Sequence, residues 1–326
     1  MVLRHDKIGG IPMRYGFGVD IGGTTVKIAW FEETGKMLSE WEIPTVREND
    51  GAQILPDVAA SLASFLKENG VAKEQVIGIG VGVPGPVNSK SIVNRCVNLG
   101  WGVKDIAGEL TALTELPVKA GNDANVAALG EYWQGSGKEF DSMVMATLGT
   151  GVGGGIVVEG HMLHGAHGCG GELGHIVLNR DETEVCGCGK RGCAEQYCSA
   201  TGLVRLANRW LEQNDADSVL RRKESLEARD VFDAGKQGDA VANEILEQYY
   251  DYLGEFLADV CTTVDPEVIV LGGGVCKAGQ VLLDGIGRHF KKYAFHATTG
   301  VKFTLAQLGN SAGTCGAFKL ALDAFG

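Results

Sequence analysis

Two segments of the sequence combine several glycines with hydroxyl-bearing and charged side chains. The first, Asp20–Lys27, has the form D-x-G-G-T-T-x-K. Two glycines at a turn let backbone N–H groups point at one anion, and threonine hydroxyls add donors, so phosphate is the expected guest. Asp20 suits Mg²⁺, which prefers hard oxygen ligands and commonly bridges phosphates; the alternative for the whole segment is a plain hairpin with a type I′ turn. The predicted phosphate and cation ligands are Asp20, Gly22, Gly23, Thr24, Thr25 and Lys27.

The second segment, Leu148–Gly155, reads L-G-T-G-V-G-G-G and has the same design in the other half of the chain. Its predicted phosphate-binding residues are Gly149, Thr150, Gly151 and Gly153. Neither segment has the G-x-x-x-x-G-K-[ST] pattern of a P-loop, nor the G-x-G-x-x-G pattern in the strand-to-helix context that dinucleotide binding needs. The sequence therefore predicts two glycine hairpins that bind phosphate in another way.

Three cysteines are spaced C-x-C-x₄-C at Cys186, Cys188 and Cys193, and His175 precedes them. Three thiolates and an imidazole form a closed tetrahedral site for structural zinc, which thiolates select over the hard ions. The alternative is a coincidence of free cysteines with a core histidine. The remaining cysteines are expected to be small buried apolar residues: Cys96, Cys169, Cys198, Cys261, Cys276 and Cys315. Three histidines at metal-like spacing are predicted to be mainly loop residues: His161, His164 and His167.

The elements that must position these segments follow from hydrophobic patterning. Val76–Val83 alternates β-branched residues with glycine, as in a strand whose backbone another element approaches closely. Apolar residues at helical spacing, beginning at Ile54 and Val241, predict helices between strands. The predicted strands are 17–21, 26–31, 76–83, 118–121, 143–148, 156–158 and 268–271, and a last helix is predicted over 311–325. The pattern is typical of an α/β protein.

Composition limits the class of protein. A chain of 326 residues exceeds what one hydrophobic core usually fills, so two domains are expected. The net charge of −12 argues against broad binding to nucleic acid or to anionic membranes. No apolar run has membrane-spanning length and Met1–Arg14 lacks a signal-peptide stretch, so a cytoplasmic protein is expected. Nine cysteines, an odd number, favour thiols and metal ligands over a disulfide framework.

Several motifs together resemble those of the ROK family of repressors, open reading frames and kinases. They are the two glycine hairpins, Gly82–Pro86, Asn122-Asp123, Glu172–His175 and the cysteine segment, and the resemblance runs from about Tyr15 to the C-terminus. It implies the actin-like ATPase (ribonuclease-H-like) fold, with two α/β domains flanking a cleft. The expected small N-terminal domain comprises residues 1–130 and a returning C-terminal helix, 311–326. The expected large domain is 131–310, with the zinc loop.

The resemblance also implies an ATP-dependent sugar kinase that uses Mg²⁺ with ATP. Phosphoryl transfer to a hydroxyl needs a group that takes the proton, and Asp123 is the candidate base. Because Asp123 follows a strand and begins a helix, the alternative for this residue is a helix N-cap, and both roles can coexist. Because the transition state is loose, positioning of this carboxylate can matter more than its basicity.

Sugar-binding residues are implied in the same way, since carboxylates can accept several hydroxyl groups. They are Gly85, Asn98, Asn122, Asp123, Glu172, His175 and Glu195. His175 can hold zinc through one ring nitrogen and donate from the other to the sugar, whereas Glu172 taken alone would be a solvated loop residue. Gly272, Gly273 and Gly274 are expected to pack against adenine or ribose, with a helix-entry turn as the alternative.

Asn98–Trp101, the second hairpin and Cys193–Glu195 most resemble the branch of the family that phosphorylates glucose. Kinases for fructose, mannose, N-acetylmannosamine and N-acetylglucosamine share the core motifs and remain alternatives. The repressors of the family place a DNA-binding module before the first hairpin, where this sequence has about fourteen residues, so nucleic acid is not an expected partner. A non-catalytic sugar sensor is disfavoured by Asp20 and Asp123. We expect a homo-oligomer, a dimer or a tetramer, with no membrane association.

Overall fold

The computed structural model describes residues 7–8 and 11–326, with side chains described from Met13 onward. Most of Met1–Arg14, where no signal-peptide pattern is found, lies outside the described side chains. The longer strands are β1 Tyr15–Ile21, β2 Thr25–Glu32, β3 Met37–Pro44, β4 Val76–Val83, β5 Val118–Asn122, β6 Met143–Leu148, β7 Val152–Val158, β8 Val268–Gly272 and β9 Lys302–Leu305. The longer helices are α1 Ile54–Asn69, α2 Ile106–Thr114, α3 Asp123–Gln134, α4 Ala200–Gln213, α5 Ala228–Lys236, α6 Ala240–Val264, α7 Gln280–Tyr293 and α8 Ala312–Phe325.

Short elements connect these strands and helices. Two-residue strands lie at Lys7–Ile8, Ile11–Pro12, Ile92–Val93, Lys104–Asp105 and His161–Met162. Four-residue helices lie at Glu48–Gly51 and Glu195–Cys198. Turns of 3₁₀ helix lie at Lys73–Gln75, Val97–Leu99, Leu173–His175, Val219–Arg222, Gly274–Ala278 and Gly309–Ser311. Among the described residues, no helix has both the length and the apolar character that crossing a bilayer requires.

The chain forms two compact units. The first consists of Met1–Lys138, Met162–Gly171 and Asn310–Gly326, and the second of Glu139–His161 and Glu172–Gly309. The first unit therefore extends beyond residue 130 and also includes the ten residues Met162–Gly171. The C-terminal helix α8 belongs to the first unit.

The first unit contains a five-stranded sheet in the order β3-β2-β1-β4-β5. β1, β2 and β3 form an antiparallel meander, whereas β4 lies parallel to β1, and β5 lies parallel to β4. Because β1, β4 and β5 are parallel neighbours, their carboxyl ends meet at one edge of the sheet. Residues that follow these three strands are therefore brought together.

The two faces of this sheet differ in side-chain size. In β1, Phe17 and Val19 point to a large apolar core that α1 helps to form. On the opposite face, a Cβ atom at Gly18 would lie 1.9 Å from the Thr314 carbonyl oxygen, and one at Gly80 would lie 1.6 Å from the Ala317 carbonyl oxygen. The alternating glycines of β4 therefore allow α8 to reach backbone contact with the sheet. The close approach predicted from the sequence is present, and α8 is the element that makes it.

Helix α3 begins directly after β5 and also packs closely on α8. Cβ atoms at Gly130 and Gly316 would lie 2.3 Å from the Ala312 carbonyl oxygen and 1.7 Å from the Val126 carbonyl oxygen, respectively. These glycines let the two helix backbones meet without intervening side chains. The position of the start of α3 is thereby tied to that of α8.

The second unit has a similar design. Its sheet runs in the order 161–162, β7, β6, β8 and β9. β6 and β7 form an antiparallel hairpin, while β8 lies parallel to β6, and β9 lies parallel to β8. The core of this unit is built on the 25-residue helix α6, whose buried residues include Tyr249, Leu253 and Phe256. Both units thus place an antiparallel glycine hairpin next to parallel strands.

Candidate functional site

In the first unit, the predicted residues gather at the edge where β1, β4 and β5 end. Asp20 is the penultimate residue of β1, Gly85 follows β4, and Asn122 and Asp123 join β5 to α3. The Asn122 side-chain amide donates to the Gly85 carbonyl oxygen at 3.1 Å, which joins two predicted sugar ligands directly. Ligands of α/β proteins bind at such carboxyl edges.

The helix cap at this edge is Asn122. Its Oδ1 accepts the N–H of Asn125 at 3.1 Å, and Asp123 is the first residue of α3. Asp123 Oδ1 accepts the N–H of Ala124 at 2.8 Å. The N-cap alternative for Asp123 is therefore wrong, because the neighbouring asparagine already satisfies the first turn of the helix. Asp123 is half-buried at the first position of the helix.

Asp20 lies in a confined and charged environment. Burial and the negative charge of Asp123 raise the pKa of Asp20 from 3.8 to about 6, and Lys27, its partner across the hairpin, opposes this rise. A Cβ atom at Gly313 of α8 would lie 2.4 Å from Asp20 Oδ2. Two nearby carboxylates repel each other when both are ionised, and a cation between them would reduce that repulsion.

The tip of the first hairpin is not a type I′ turn. The Gly22 N–H donates to the Thr25 carbonyl oxygen, so Gly23 and Thr24 are the central residues, and neither has the positive φ that a type I′ turn requires at both positions. Thr45, which lies outside the hairpin, forms two hydrogen bonds to the tip. Its hydroxyl donates to the Gly22 carbonyl oxygen at 2.8 Å, and its N–H donates to the Thr24 carbonyl oxygen at 2.9 Å. A Cβ atom at Gly23 would meet nothing within 4 Å. Local backbone conformation and packing therefore do not account for this glycine.

Asn98 lies exposed in the 3₁₀ turn Val97–Leu99. Burial raises the pKa of the neighbouring Cys96 thiol, and the charge of Asp123 adds to that rise. The turn that carries Asn98 is thus within electrostatic range of Asp123. Asp20, Gly85, Asn122 and Asp123 therefore belong to one edge of the sheet of the first unit.

In the second unit, Glu195 lies against the tip of the second hairpin. Its Oε2 accepts the Val152 N–H at 3.1 Å, and a Cβ atom at Gly151 would lie 2.0 Å from the same oxygen. A side chain at residue 151 would displace the Glu195 carboxylate from this position. This contact joins a predicted sugar ligand to a predicted phosphate-binding hairpin, a proximity that the sequence did not indicate.

Gly272–Gly274 lie beside the same hairpin. Gly273 has a φ of 88°, and a Cβ atom there would lie 2.5 Å from the Leu148 carbonyl oxygen, so close packing and backbone conformation both require glycine. Gly274 begins a 3₁₀ turn, as the helix-entry alternative supposed, and a Cβ atom there would meet nothing within 4 Å. It lines a cavity of 540 Å³ with Phe232, Val275 and Lys277 among its other walls.

The predicted metal ligands form one cluster. The ligand atoms of His175, Cys186, Cys188 and Cys193 all lie within 4.8 Å of one another. Cys188 Sγ is 3.6 Å from Cys193 Sγ, and Cys186 Sγ is 3.9 Å from His175 Nδ1. Three thiols and an imidazole at this spacing fit the donor set and dimensions of a tetrahedral zinc site. Within the described part of the chain, no other such group is found.

His175 and Glu195 connect this Cys/His cluster to the other predicted sugar ligands. His175 Nε2 is 4.0 Å from Glu172 Oε2, on the side of the ring away from the thiols. Glu195 Oε1 is 3.7 Å from Cys186 Sγ. The three candidate sugar ligands of the second unit are thus joined through the cluster.

Some minor predictions need correction. Cys169 is exposed and Cys276 is half-buried, whereas Cys96, Cys198, Cys261 and Cys315 are buried as expected. His164 and His167 lie in loops, but His161 lies in a short strand. Cys169 is exposed because it lies in the loop that follows the short strand His161–Met162. Sequence reasoning also missed Gly313 and the buried Glu182, which no local motif marks.

Comparison with known proteins identifies the family. The ROK family model matches residues 16–324. A glucokinase of Halalkalibacterium halodurans is 41% identical over 308 residues, which cover 93% of each chain. The crystal structure of a ROK family glucokinase from Streptomyces griseus, in complex with glucose and AMPPNP, has a TM-score of 0.75 and 33% identity and covers 95% of this chain and 99% of that one.

A ROK family transcriptional regulator, a homologue of the E. coli MLC protein, is also similar, with a TM-score of 0.82 and 26% identity. The match covers 94% of this chain and 78% of the regulator. Kinases and regulators of this family therefore share one fold, and the site residues must distinguish them. The family match over nearly the whole sequence and the paired glycine hairpins agree: the chain belongs to the ROK family and has its two-domain, actin-like ATPase fold.

Proposed function

We propose that this protein transfers the γ-phosphoryl group of ATP to a hydroxyl group of a hexose, and that glucose is the hexose. The observation that carries the proposal is the placement of Asp20 and Asp123 at one edge of the first sheet, where the charge of Asp123 contributes to the raised pKa of Asp20. The names of the similar proteins, glucokinases at 41% and 33% identity, support the choice of reaction and of sugar.

Asp123 accepts the proton of the sugar hydroxyl as its oxygen attacks the γ-phosphorus. The O–P bond to ADP breaks, and the products are the sugar phosphate, ADP and a proton. Because the transition state of phosphoryl transfer is loose, a carboxylate in the right place serves without unusual basicity. The short link from β5 to α3 and the packing of α3 on α8 support a well-defined position for this carboxylate.

The glycine segments bind the nucleotide. Gly23, Gly149 and Gly274 support this role, because none has a positive φ and a Cβ atom at each would meet no protein atom within 4 Å. The cavity beside Gly274, with the aromatic ring of Phe232 in its wall, is proposed to hold the adenine. Asp20 is the proposed carboxylate for Mg²⁺, an ion that supplies charge neutralisation for the phosphates.

Hydroxyl contacts are proposed to bind the sugar. The proposed sugar ligands are Gly85, Asn98, Asn122, Glu172, His175 and Glu195. His175 and the three cysteines of the Cys/His cluster would hold a structural zinc ion, which stabilises the loop that carries Glu195. The expected dimer or tetramer stays a prediction that light scattering can test.

An ADP-release assay across a panel of hexoses tests the proposal. We expect glucose to have the highest kcat/KM, above those of fructose, mannose, N-acetylmannosamine and N-acetylglucosamine. Highest turnover with another hexose would correct the acceptor and retain the reaction. If sugars shift the thermal unfolding of the protein but none is phosphorylated, the protein is a sensor and the proposed reaction is wrong.

A further inference from the structure

An ionic network surrounds the buried carboxylate of Glu182, with residues on both sides of the three cysteines in the sequence, and we call it the Glu182 network. Its members are Glu182, Glu184, Tyr197, Arg205 and Arg209. The side chain of Glu182 is only 2% exposed. Its carboxylate accepts hydrogen bonds from Arg205, from the Tyr197 hydroxyl at 2.5 Å and from two nitrogens of Arg209, each at 3.1 Å. None of these residues belongs to a predicted binding site.

The backbone completes the shell of this carboxylate. Glu182 Oε1 also accepts the N–H groups of Thr183 and Glu184, both at 2.9 Å. A buried carboxylate is unfavourable unless other partners replace its hydration, and here both oxygens are occupied by donors. Hydrogen bonds from Arg209 and the other donors hold the pKa of Glu182 well below its usual value, so the group is ionised at neutral pH.

The network joins both ends of one segment to one helix. Glu182 and Glu184 precede the first cysteine, Tyr197 follows the last, and Arg205 and Arg209 lie one turn apart on α4. Arg205 Nη1 also donates to the Gln196 carbonyl oxygen at 3.0 Å, and Gln196 Nε2 donates to the Glu184 carbonyl oxygen at 3.1 Å. The ends of segment 183–196 are therefore fixed to each other and to α4.

The tip of the segment, 186–190, has local hydrogen bonds and one more distant contact, in which Lys190 Nζ donates to the His175 carbonyl oxygen at 2.7 Å. The Cys186 N–H donates to the Lys190 carbonyl oxygen at 2.8 Å, and the Gly189 N–H donates back to Cys186 at the same distance. Cys188 and Gly187 are exposed. A short exposed hairpin of this kind takes its position from its base, because few buried apolar contacts hold it.

We propose that Glu182 is a positioning residue that holds the cysteine segment in the arrangement needed to bind zinc and to present Glu195. The proposal rests on the proposed function for the roles of zinc and of Glu195. By fixing the base of the segment, the network reduces the conformational entropy that the ligands would lose when a metal binds. The metal then meets thiols that are already close together.

Glu182→Gln tests this proposal, with Glu184→Gln as the matched control. Both substitutions remove one negative charge opposite the same two arginines, but the Glu184 side chain is 57% exposed. In hydrogen–deuterium exchange of the whole protein, we expect amides of 183–196 to exchange roughly tenfold faster in Glu182→Gln, while peptides of α6 are unchanged. Glu184→Gln should behave like the wild type.

Zinc release to a colorimetric chelator provides a second measurement. We expect release from Glu182→Gln to be roughly tenfold faster, as for other residues that support metal ligands. The KM for glucose should rise while the KM for ATP and kcat change less than twofold, a pattern that general destabilisation would not produce. Tyr197→Phe removes one hydrogen bond and keeps the charge, so it should give smaller changes in the same direction and serves if Glu182→Gln folds poorly.

Unchanged exchange of 183–196 in both Glu182→Gln and Tyr197→Phe would overturn the proposal, and so would equal effects of Glu182→Gln and Glu184→Gln. The exchange measurement needs neither metal nor activity. A protein that shows the expected exchange but contains no zinc or phosphorylates no sugar would contradict the proposed function while supporting the role of Glu182 in holding the segment.

Discussion

Asp123 and Asn122 are neighbours with separable roles. Asn122 caps α3 and contacts Gly85, while Asp123 Oδ1 accepts the N–H of the adjacent Ala124. Removing the Asp123 carboxylate should therefore leave the helix cap intact. Substitutions at the two positions can distinguish chemistry from stability.

In Asp123→Ala, we expect kcat for sugar phosphorylation to fall roughly 10²-fold or more, the lower range for loss of a general base. Glucose should still bind, because most of its proposed partners remain; isothermal titration measures this. Asn122→Ala removes both the cap and a proposed sugar ligand, so it should lower the free energy of unfolding by about 1 kcal/mol, whereas Asp123→Ala should not. Near-normal kcat in Asp123→Ala would eliminate Asp123 as the base.

Asp20 should lower stability at neutral pH. Its pKa in the folded protein, about 6, exceeds the ordinary value of 3.8, so the folded state binds the proton more tightly and its stability falls as pH rises between these values. Asp20→Asn should therefore raise the free energy of unfolding by about 2 to 3 kcal/mol at pH 7 and by almost nothing near pH 4. Urea unfolding without ligands, at pH 7 and near pH 4, measures both differences in the free energy of unfolding. A lower free energy of unfolding for Asp20→Asn than for the wild type at pH 7 would contradict the argument that burial destabilises the Asp20 carboxylate.

At the scale of elements, α8 connects the sheet, α3 and Asp20. Its glycines allow backbone contact with the sheet and α3, and Gly313 meets the Asp20 carboxylate directly. The Thr314 hydroxyl also lies 3.3 Å from Glu40 Oε1 of β3. A helix that begins at residue 312 thus helps to position a carboxylate near the start of the chain.

Gly313→Ala should destabilise the protein and weaken MgAMPPNP binding, although alanine normally favours a helix by about 0.5 to 1 kcal/mol. The reason is that its Cβ would lie 2.4 Å from Asp20 Oδ2. Gly287→Ala in α7, where a Cβ meets nothing within 4 Å, is the matched control and should be neutral or stabilising. In an Asp20→Ala background the cost of Gly313→Ala should largely disappear; an undiminished cost would show that α8 does not act through Asp20.

At the scale of the whole molecule, the Cys/His cluster links a metal to stability and to the proposed sugar ligands. His175 contacts the thiols on one side and approaches Glu172 on the other, and Glu195 lies between Cys186 and the second hairpin. Loss of a metal from the cluster should therefore affect the second hairpin as well as the loop.

We expect one zinc ion per chain by elemental analysis of the purified protein. Cys188→Ser should lower the thermal midpoint and raise the KM for glucose more than that for ATP, because structural zinc contributes folding energy and supports Glu195. Cys169→Ser, which changes an exposed thiol outside the cluster, is the control. Absence of zinc together with an unaltered glucose KM in Cys188→Ser would refute the link between metal and sugar binding.

Much of the fold and of the candidate site could be predicted because the informative residues are contiguous. Asp20–Lys27 and Leu148–Gly155 each contain the turn of a β-hairpin, and Cys186–Cys193 contains three of the four candidate metal ligands. The alternation of glycine in β4 likewise indicated a closely packed face. The spacing of residues and the period of apolar residues can be read directly from the sequence, and they indicate which side chains share one face of a strand or helix.

Only the tertiary structure determined which distant residues meet. Gly313 meets Asp20 across nearly the whole chain, Glu195 takes the place of a side chain at Gly151, and Glu182 becomes buried by two arginines that follow it by more than twenty residues. It also showed that Asn122, and not Asp123, caps α3. Either residue type can cap a helix, so the sequence alone left this open. Such contacts depend on how helices and strands pack against one another. Packing brings together residues that are far apart in the sequence and that no local motif connects.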